Sequence, residues 1–164
     1  MEVPSVAGKP FPIKPARRGF SLVEIMMVVA AIGILATLAI PTFTRARLLS
    51  RVSAQLNDLR VLEEAFQRYS TEKSAFPPVP GDASLPSGMG AYLYDKIWTH
   101  KSPAGAAYYW SKYSFPTRPN VFIIVLENAN PDVMNLVDHD MDDGNPSAGS
   151  IRFVSPNYVL ILDQ

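Results

Sequence analysis

Residues 25–41 form an almost unbroken apolar run from Ile25 to Pro41, and extended back to Phe20 the run is interrupted by Ser21 and Glu24. A helix needs roughly 20 residues to cross about 30 Å of hydrocarbon, so this segment is long enough to span a bilayer. The apolar core of a secretory signal peptide is about 7–15 residues, which is shorter than what stands here. The run also lacks a small-x-small cleavage site followed by a polar start. By length and composition it reads as a membrane anchor near the N-terminus.

Two details go beyond an anchor. Glu24 sits five residues into the apolar segment counted from Phe20. An ionisable side chain costs about 2.5–3.5 kcal/mol near a bilayer centre, so a residue of this kind calls for a partner and a purpose. The second detail is the abrupt charged step of Arg17, Arg18 and Gly19 immediately before Phe20.

The series Arg17-Arg18-Gly19-Phe20-Ser21-Leu22-Val23-Glu24, followed by the apolar run and Pro41, resembles the N-terminal signature of type IV pilins and type II secretion pseudopilins. The resemblance covers roughly residues 17–45. It implies that a prepilin peptidase cuts between Gly19 and Phe20 and N-methylates Phe20. It also implies that Glu24 is the acidic residue that helps set subunit register, and that Pro41 is the proline bending the family's long helix. The chemistry suits those roles. Glycine leaves no side chain in the way of a peptidase at the membrane face, and a cut before the apolar segment keeps that segment as anchor and assembly stalk. A carboxylate buried among packed stalks can be offset by the terminal amine of a neighbouring subunit, which penalises wrong axial registers.

Residues 1–19 carry Lys9, Lys14, Arg17 and Arg18 against Glu2, with four prolines that favour an extended chain. Arg45, Arg47 and Arg51 answer this basic flank on the far side, so charge alone leaves the orientation nearly balanced. The resemblance places the leader in the cytoplasm and the head in the periplasm of a bacterial inner membrane, from which the subunit passes into a pilus or pseudopilus filament. Its implied partners are other copies of the chain, related pilin-like subunits, the prepilin peptidase and an inner-membrane assembly platform. The competing reading is a single-pass, membrane-anchored binding domain that does not polymerise. Many major pilins close a C-terminal loop with two cysteines; their absence here tilts toward a pseudopilin or a minor subunit.

Beyond Pro41 the chain keeps a helical pattern. Leu48/Leu49, Val52, Leu56, Leu59, Leu62, Phe66 and Tyr69 recur at spacings of three and four, with Arg51, Gln55, Asp58, Arg60 and Glu63/Glu64 mostly between them. Neither Gly nor Pro occurs from 42 to 75, and Phe76-Pro77-Pro78 should end the helix near Glu72–Ser74. The stripe lacks sustained heptads with charged flanks, so it is expected to pack on its own domain rather than in a coiled coil.

The Pro/Gly/Ser-rich stretch 77–90 reads as a loop, and Ala91–Trp98 as a short helix or a strand. Four strands are expected at Ala107–Phe115, Val121–Leu126, Ser150–Val154 and Tyr158–Leu162, the last two joined by a turn at Ser155-Pro156-Asn157. Asn130-Pro131 reads as a cap and first helical residue, opening a short helix to about Asp138 that buries Val133, Leu136 and Val137. The expected class is α+β and pilin-like: a long N-terminal helix against an antiparallel sheet of about four strands. Leu56, Leu59, Leu62, Phe66, Ile123, Val125, Phe153 and Leu160 are expected between them. The expected divisions are a leader at 1–19, a transmembrane and assembly half at 20–45, an amphipathic half at 46–74 and a β-rich head at 75–164.

Within the head, Asp138, Asp140, Asp142 and Asp143 precede Gly144 in the manner of a calcium loop, whose odd-numbered carboxylates converge on a hard cation. Gly144 comes one residue late for such a loop, and Gly149 stands where its last position needs Glu. An Asp/Asn/Gly turn at a helix end explains the same residues and is preferred. No cofactor is therefore expected, calcium being the one candidate.

Catalysis finds little support. His100 and His139 lie 39 residues apart without a nucleophile motif, and no phosphate loop or zinc spacing accompanies them. With no cysteine, thiolate chemistry and disulfides are excluded. Fifteen basic against fifteen acidic residues provide no bulk positive field, so no nucleic-acid partner is expected. Past Gly19 the balance becomes 11 against 14, and residues 120–151 hold six acids with no Lys or Arg.

Overall fold

The computed structural model describes residues 19–162, so the basic leader up to Arg18 lies outside the described residues. Helix α1 runs Leu22–Lys73 and contains Pro41. A 3-10 turn at Met89–Ala91 and helix α2, Asp95–Thr99, follow. Then come β1 (Ala107–Tyr113), β2 (Val121–Glu127), α3 (Pro131–Met141), β3 (Ile151–Val154) and β4 (Asn157–Leu162). Ala91–Trp98 thus resolves into the end of one short helix and most of another. By its contacts the chain divides into two compact units, residues up to Pro41 and residues from Thr42 onward.

α1 stops where expected. Ser74 takes a left-handed φ of 55°, which turns the chain out of the helix, and the prolines that follow prevent its resumption. α3 begins as its sequence dictates: the Asn130 side chain accepts a hydrogen bond from Val133 N at 3.2 Å and Pro131 occupies the first turn. It continues to Met141, beyond the expected Asp138, and buries Val133, Met134 and Val137 while Leu136 is half-buried.

The four strands form one antiparallel sheet in the order β1-β2-β4-β3. The register pairs Trp110 with Ile124 and Ile124 with Leu160, so these three side chains share a face. That face belongs to the main core, with Tyr108, Leu126, Tyr158, Leu162 and Ile151, and with Val52, Leu59, Leu62 and Phe66 from α1. Phe66 packs 4.3 Å from the Trp110 ring, which stacks on Phe122 at 5.2 Å. The proline-rich loop is fastened to this core by two indole donors: Trp98 Nε1 to Ala83 O at 2.9 Å and Trp110 Nε1 to Pro77 O at 3.0 Å.

Three expected core residues are placed otherwise. Ile123 and Val125 belong to a second cluster on the opposite sheet face, around Ile123, Val159 and Ile161. Phe153, on the edge strand β3, is 46% exposed. The runs Val121–Leu126 and Tyr158–Leu162 are apolar at every position, so alternation could not show which parity faces the helix. Leu59, Leu62, Phe66 and Leu160 lie where expected, and Leu56 is half-buried against the same core.

Candidate functional site

The chemistry-bearing residues fall in two places, one in each unit. In the first, Gly19, Phe20 and Ser21 lead into α1, where the Ser21 carbonyl accepts from Glu24 N at 3.1 Å and Ile25 N at 3.3 Å. Glu24 lies in the first turn of the helix, where a carboxylate also faces the positive end of the helix dipole. Around it the surface is apolar and open: Phe20 is 78% exposed, Leu22 75% and Met27 69%. The same holds along the helix through Val29, Ile32, Leu35, Leu38 and Ile40. The segment is one helix long and apolar enough to cross a membrane, with no part of its apolar window buried. Pro41 sits inside the helix and has no N–H to donate to the carbonyl four residues earlier. Glu24 and Pro41 thus lie within α1, and Gly19 and Phe20 stand just before its start.

The second place is the end of α3. Because the helix extends to Met141, the acidic series is not a loop throughout: Asp138 and Asp140 are helical, Asp142 is the C-cap and Asp143 follows it. Asp140 points outward and its Oδ1 lies 3.1 Å from His139 Nδ1, on an exposed pair. Asp138 points the other way and is fully buried, with burial and then the nearby Asp142 and Asp143 charges pushing its carboxyl above the usual carboxylate range. Asp142 Oδ2 accepts from Ser150 N and from Ile151 N, the latter at 2.8 Å, which ties the helix end to the start of β3. Gly149 makes that tie feasible. Its φ is +67°, and a Cβ there would overlap the Asp142 carboxylate. Asp143 Oδ1 accepts from Asn145 N at 2.8 Å, as in an Asx turn. The structure therefore brings Asp138, Asp142 and Asp143 together and leaves Asp140 out.

One polar residue escaped the sequence reading. Gln55 is completely buried, donating from Nε2 to the Tyr108 hydroxyl at 2.9 Å and accepting Ala104 N on Oε1 at 3.0 Å. Its position was legible in the spacing: Val52, Gln55, Leu59, Leu62 and Phe66 follow at intervals of three and four, so Gln55 belongs to the buried stripe. His100 caps the end of α2 with its ring near Lys96 O, and Tyr108 and Trp110 are core residues.

Together these features define a class: an α+β, pilin-like fold with a long N-terminal helix, an apolar membrane-type segment in that helix and a four-stranded antiparallel sheet. Residues 14–40 match the prokaryotic N-terminal methylation motif. Over 62 residues the chain is 42% identical to the type IV major pilin protein PilA of Myxococcus xanthus, a match covering 38% of this chain and 28% of that protein. It is 34% identical over 65 residues to fimbrial protein EcpC of Eikenella corrodens, covering 40% of this chain and 42% of the relative. It is 33% identical over 64 residues to type II secretion system core protein G of Klebsiella michiganensis, covering 39% and 45% respectively. The chain spans less than half the length of each of these relatives. No solved structure matches the chain. The resemblance to type IV pilins and type II secretion pseudopilins is borne out by the motif match at residues 14–40 and by these partial likenesses.

Proposed function

We propose that the chain is a structural subunit, and not an enzyme, of a type IV pilus-like or type II secretion pseudopilus filament. Prepilin peptidase removes residues 1–19 and N-methylates Phe20. The chain stands in the bacterial inner membrane by a single pass with its head in the periplasm. The assembly platform then draws it into a filament of further copies and related pilin-like subunits. The observation that carries this reading is the apolar surface of α1, exposed from Leu22 to Phe43 and bearing one carboxylate, Glu24, in its first turn. Such a surface is stable only when covered by lipid or by other apolar helices.

Both coverings operate in sequence. In the bilayer, Glu24 near the end of the segment can reach the interface at modest cost. In the packed filament that escape is closed, and the new terminal amine of a neighbour supplies the opposite charge. A subunit displaced along the filament axis would bury Glu24 without its partner, and a buried unpaired charge costs about 3–5 kcal/mol. Pro41, lacking its helical donor, supplies the point at which the helix can bend to fit neighbours.

Glu24→Ala should leave membrane insertion and cleavage intact while filament yield drops to background in a shear-and-sediment assay. Filaments as abundant as the parent's would remove the register role. Mass spectrometry of the mature chain should show N-methylated Phe20 at the first position. Any other first residue would sink the processing scheme.

A further inference from the structure

Three arginines follow the apolar segment of α1: Arg45, Arg47 and Arg51, all of them exposed. They are the first basic residues after Arg18, and the chain carries no acid between Glu24 and Asp58. The usual helical answer to such a charge, an Asp or Glu three or four residues away, is therefore missing for each of them. Arg47 and Arg51 stand one turn apart, a like-charge pair that weakens a helix unless an anion comes to it.

Their spacing suits the headgroup layer of a bilayer. Leu22–Pro41 rises about 30 Å as a helix, which is the thickness of the hydrocarbon. The headgroup layer adds about 5–8 Å on each side. Arg45 and Arg47 follow Pro41 by about 6 and 9 Å of helix rise, and Arg51 by about 15 Å. Side chains on a helix lean toward its N-terminus, which brings these three back toward the membrane side. Arg47 shows that lean, with its guanidinium 4.3 Å over the ring of Phe43 one turn earlier. Phe43 is itself exposed, so the two make an apolar foot with a charged tip, as snorkelling side chains do. Around the helix axis Arg45 and Arg47 stand about 160° apart, and Arg51 falls between them. A flat protein partner does not reach two side chains so nearly opposite, whereas a layer of phosphates surrounds the helix.

We propose that Arg45, Arg47 and Arg51 form a collar that binds the phosphates of anionic phospholipids on the head side of the bilayer. The collar rests on the membrane-spanning stage of the proposed function and on no step of filament assembly. A guanidinium meets phosphate oxygens through two parallel hydrogen bonds, a geometry that a single acid-free helix turn leaves fully available. The collar also fixes the depth of the segment. Sliding one way would carry the three charges into hydrocarbon, and sliding the other way would lift them off the phosphates.

The test uses the full mature chain in phosphatidylcholine vesicles that carry a trace of spin-labelled phosphatidylglycerol or of spin-labelled phosphatidylcholine. Electron spin resonance should show the labelled phosphatidylglycerol enriched beside the protein on the order of fivefold over labelled phosphatidylcholine. High salt should lower that ratio, because it screens exposed charges. Exchanging all three arginines together, R45Q with R47Q and R51Q, should bring the ratio close to one, whereas Arg60→Gln on the same helix should leave it unchanged. Flotation of parent and variants with the vesicles reads insertion separately. A chain that does not float would overturn the membrane-spanning stage and the collar with it. A chain that floats without preferring phosphatidylglycerol would overturn the collar alone, as would a preference that survives the triple exchange. Energy transfer between labelled chains that is lost in the triple variant, with lipid preference unchanged, would assign the arginines to acids of a second copy instead.

Discussion

Gln55 places an amide in the middle of an apolar stripe, where both ends of that amide are in use. Its Nε2 serves the Tyr108 hydroxyl and its Oε1 receives the Ala104 amide, linking α1 to β1 and to the turn before it. Removing it strands the buried Ala104 amide, at about 1–3 kcal/mol, and leaves the Tyr108 hydroxyl with Ser102 as its partner. Gln55→Leu keeps the volume but not the bonds, and Gln55→Ala adds a cavity. Both should destabilise the chain, by about 2–4 kcal/mol for the alanine variant, in urea unfolding. A change within about 0.5 kcal/mol, as at an ordinary surface position, would show that the bonds carry nothing. Burial also pushes the Tyr108 hydroxyl above its ordinary range, so it stays protonated and able to bond with Gln55. Gly149 shows a different kind of residue-scale constraint, because its backbone conformation and the Asp142 carboxylate beside it both exclude a side chain.

At the scale of elements, local chemistry states its own boundaries. α3 starts at Asn130-Pro131 because a side-chain acceptor meets the Val133 amide and proline needs no helical donor in the first turn. Asn130→Ala should therefore cost about 1 kcal/mol of stability, while Asn130→Asp or Ser should cost little. Equal melting of Asn130→Ala and the parent would mean that packing of Val133, Met134 and Val137 alone sets the helix start. The C-terminal end of α3 was harder to read. The sequence ends the helix near Asp138, but it runs on to Met141, where the Asp142 cap accepts from the Ser150 and Ile151 amides eight and nine residues on. Strand existence followed from β-branched and aromatic runs, and the four strands appear close to their expected limits. Strand parity did not follow, because β2 and β4 are apolar on both faces.

For the whole molecule, the division at Pro41 separates two kinds of surface. From Phe20 to Ile40 the large apolar side chains are exposed, whereas among the described residues the buried hydrophobic ones lie between Val52 and Leu162. Residues 42–164 alone should therefore be soluble without detergent and melt cooperatively, while the full chain should sediment with membranes or require micelles. A fragment that aggregates or melts without a transition would show that its core is not self-sufficient. The sequence by itself determined the apolar segment, the charged step at Arg17–Phe20, the place of Glu24 and the α+β order of elements, because length, periodicity and caps act within a few neighbouring residues. The tertiary structure decided which sheet face meets α1, that Gln55 is buried and bonded, and which acids converge. The first two depend on partners tens of residues away and the third on where α3 ends and which way each acid then faces, none of which a local pattern specifies.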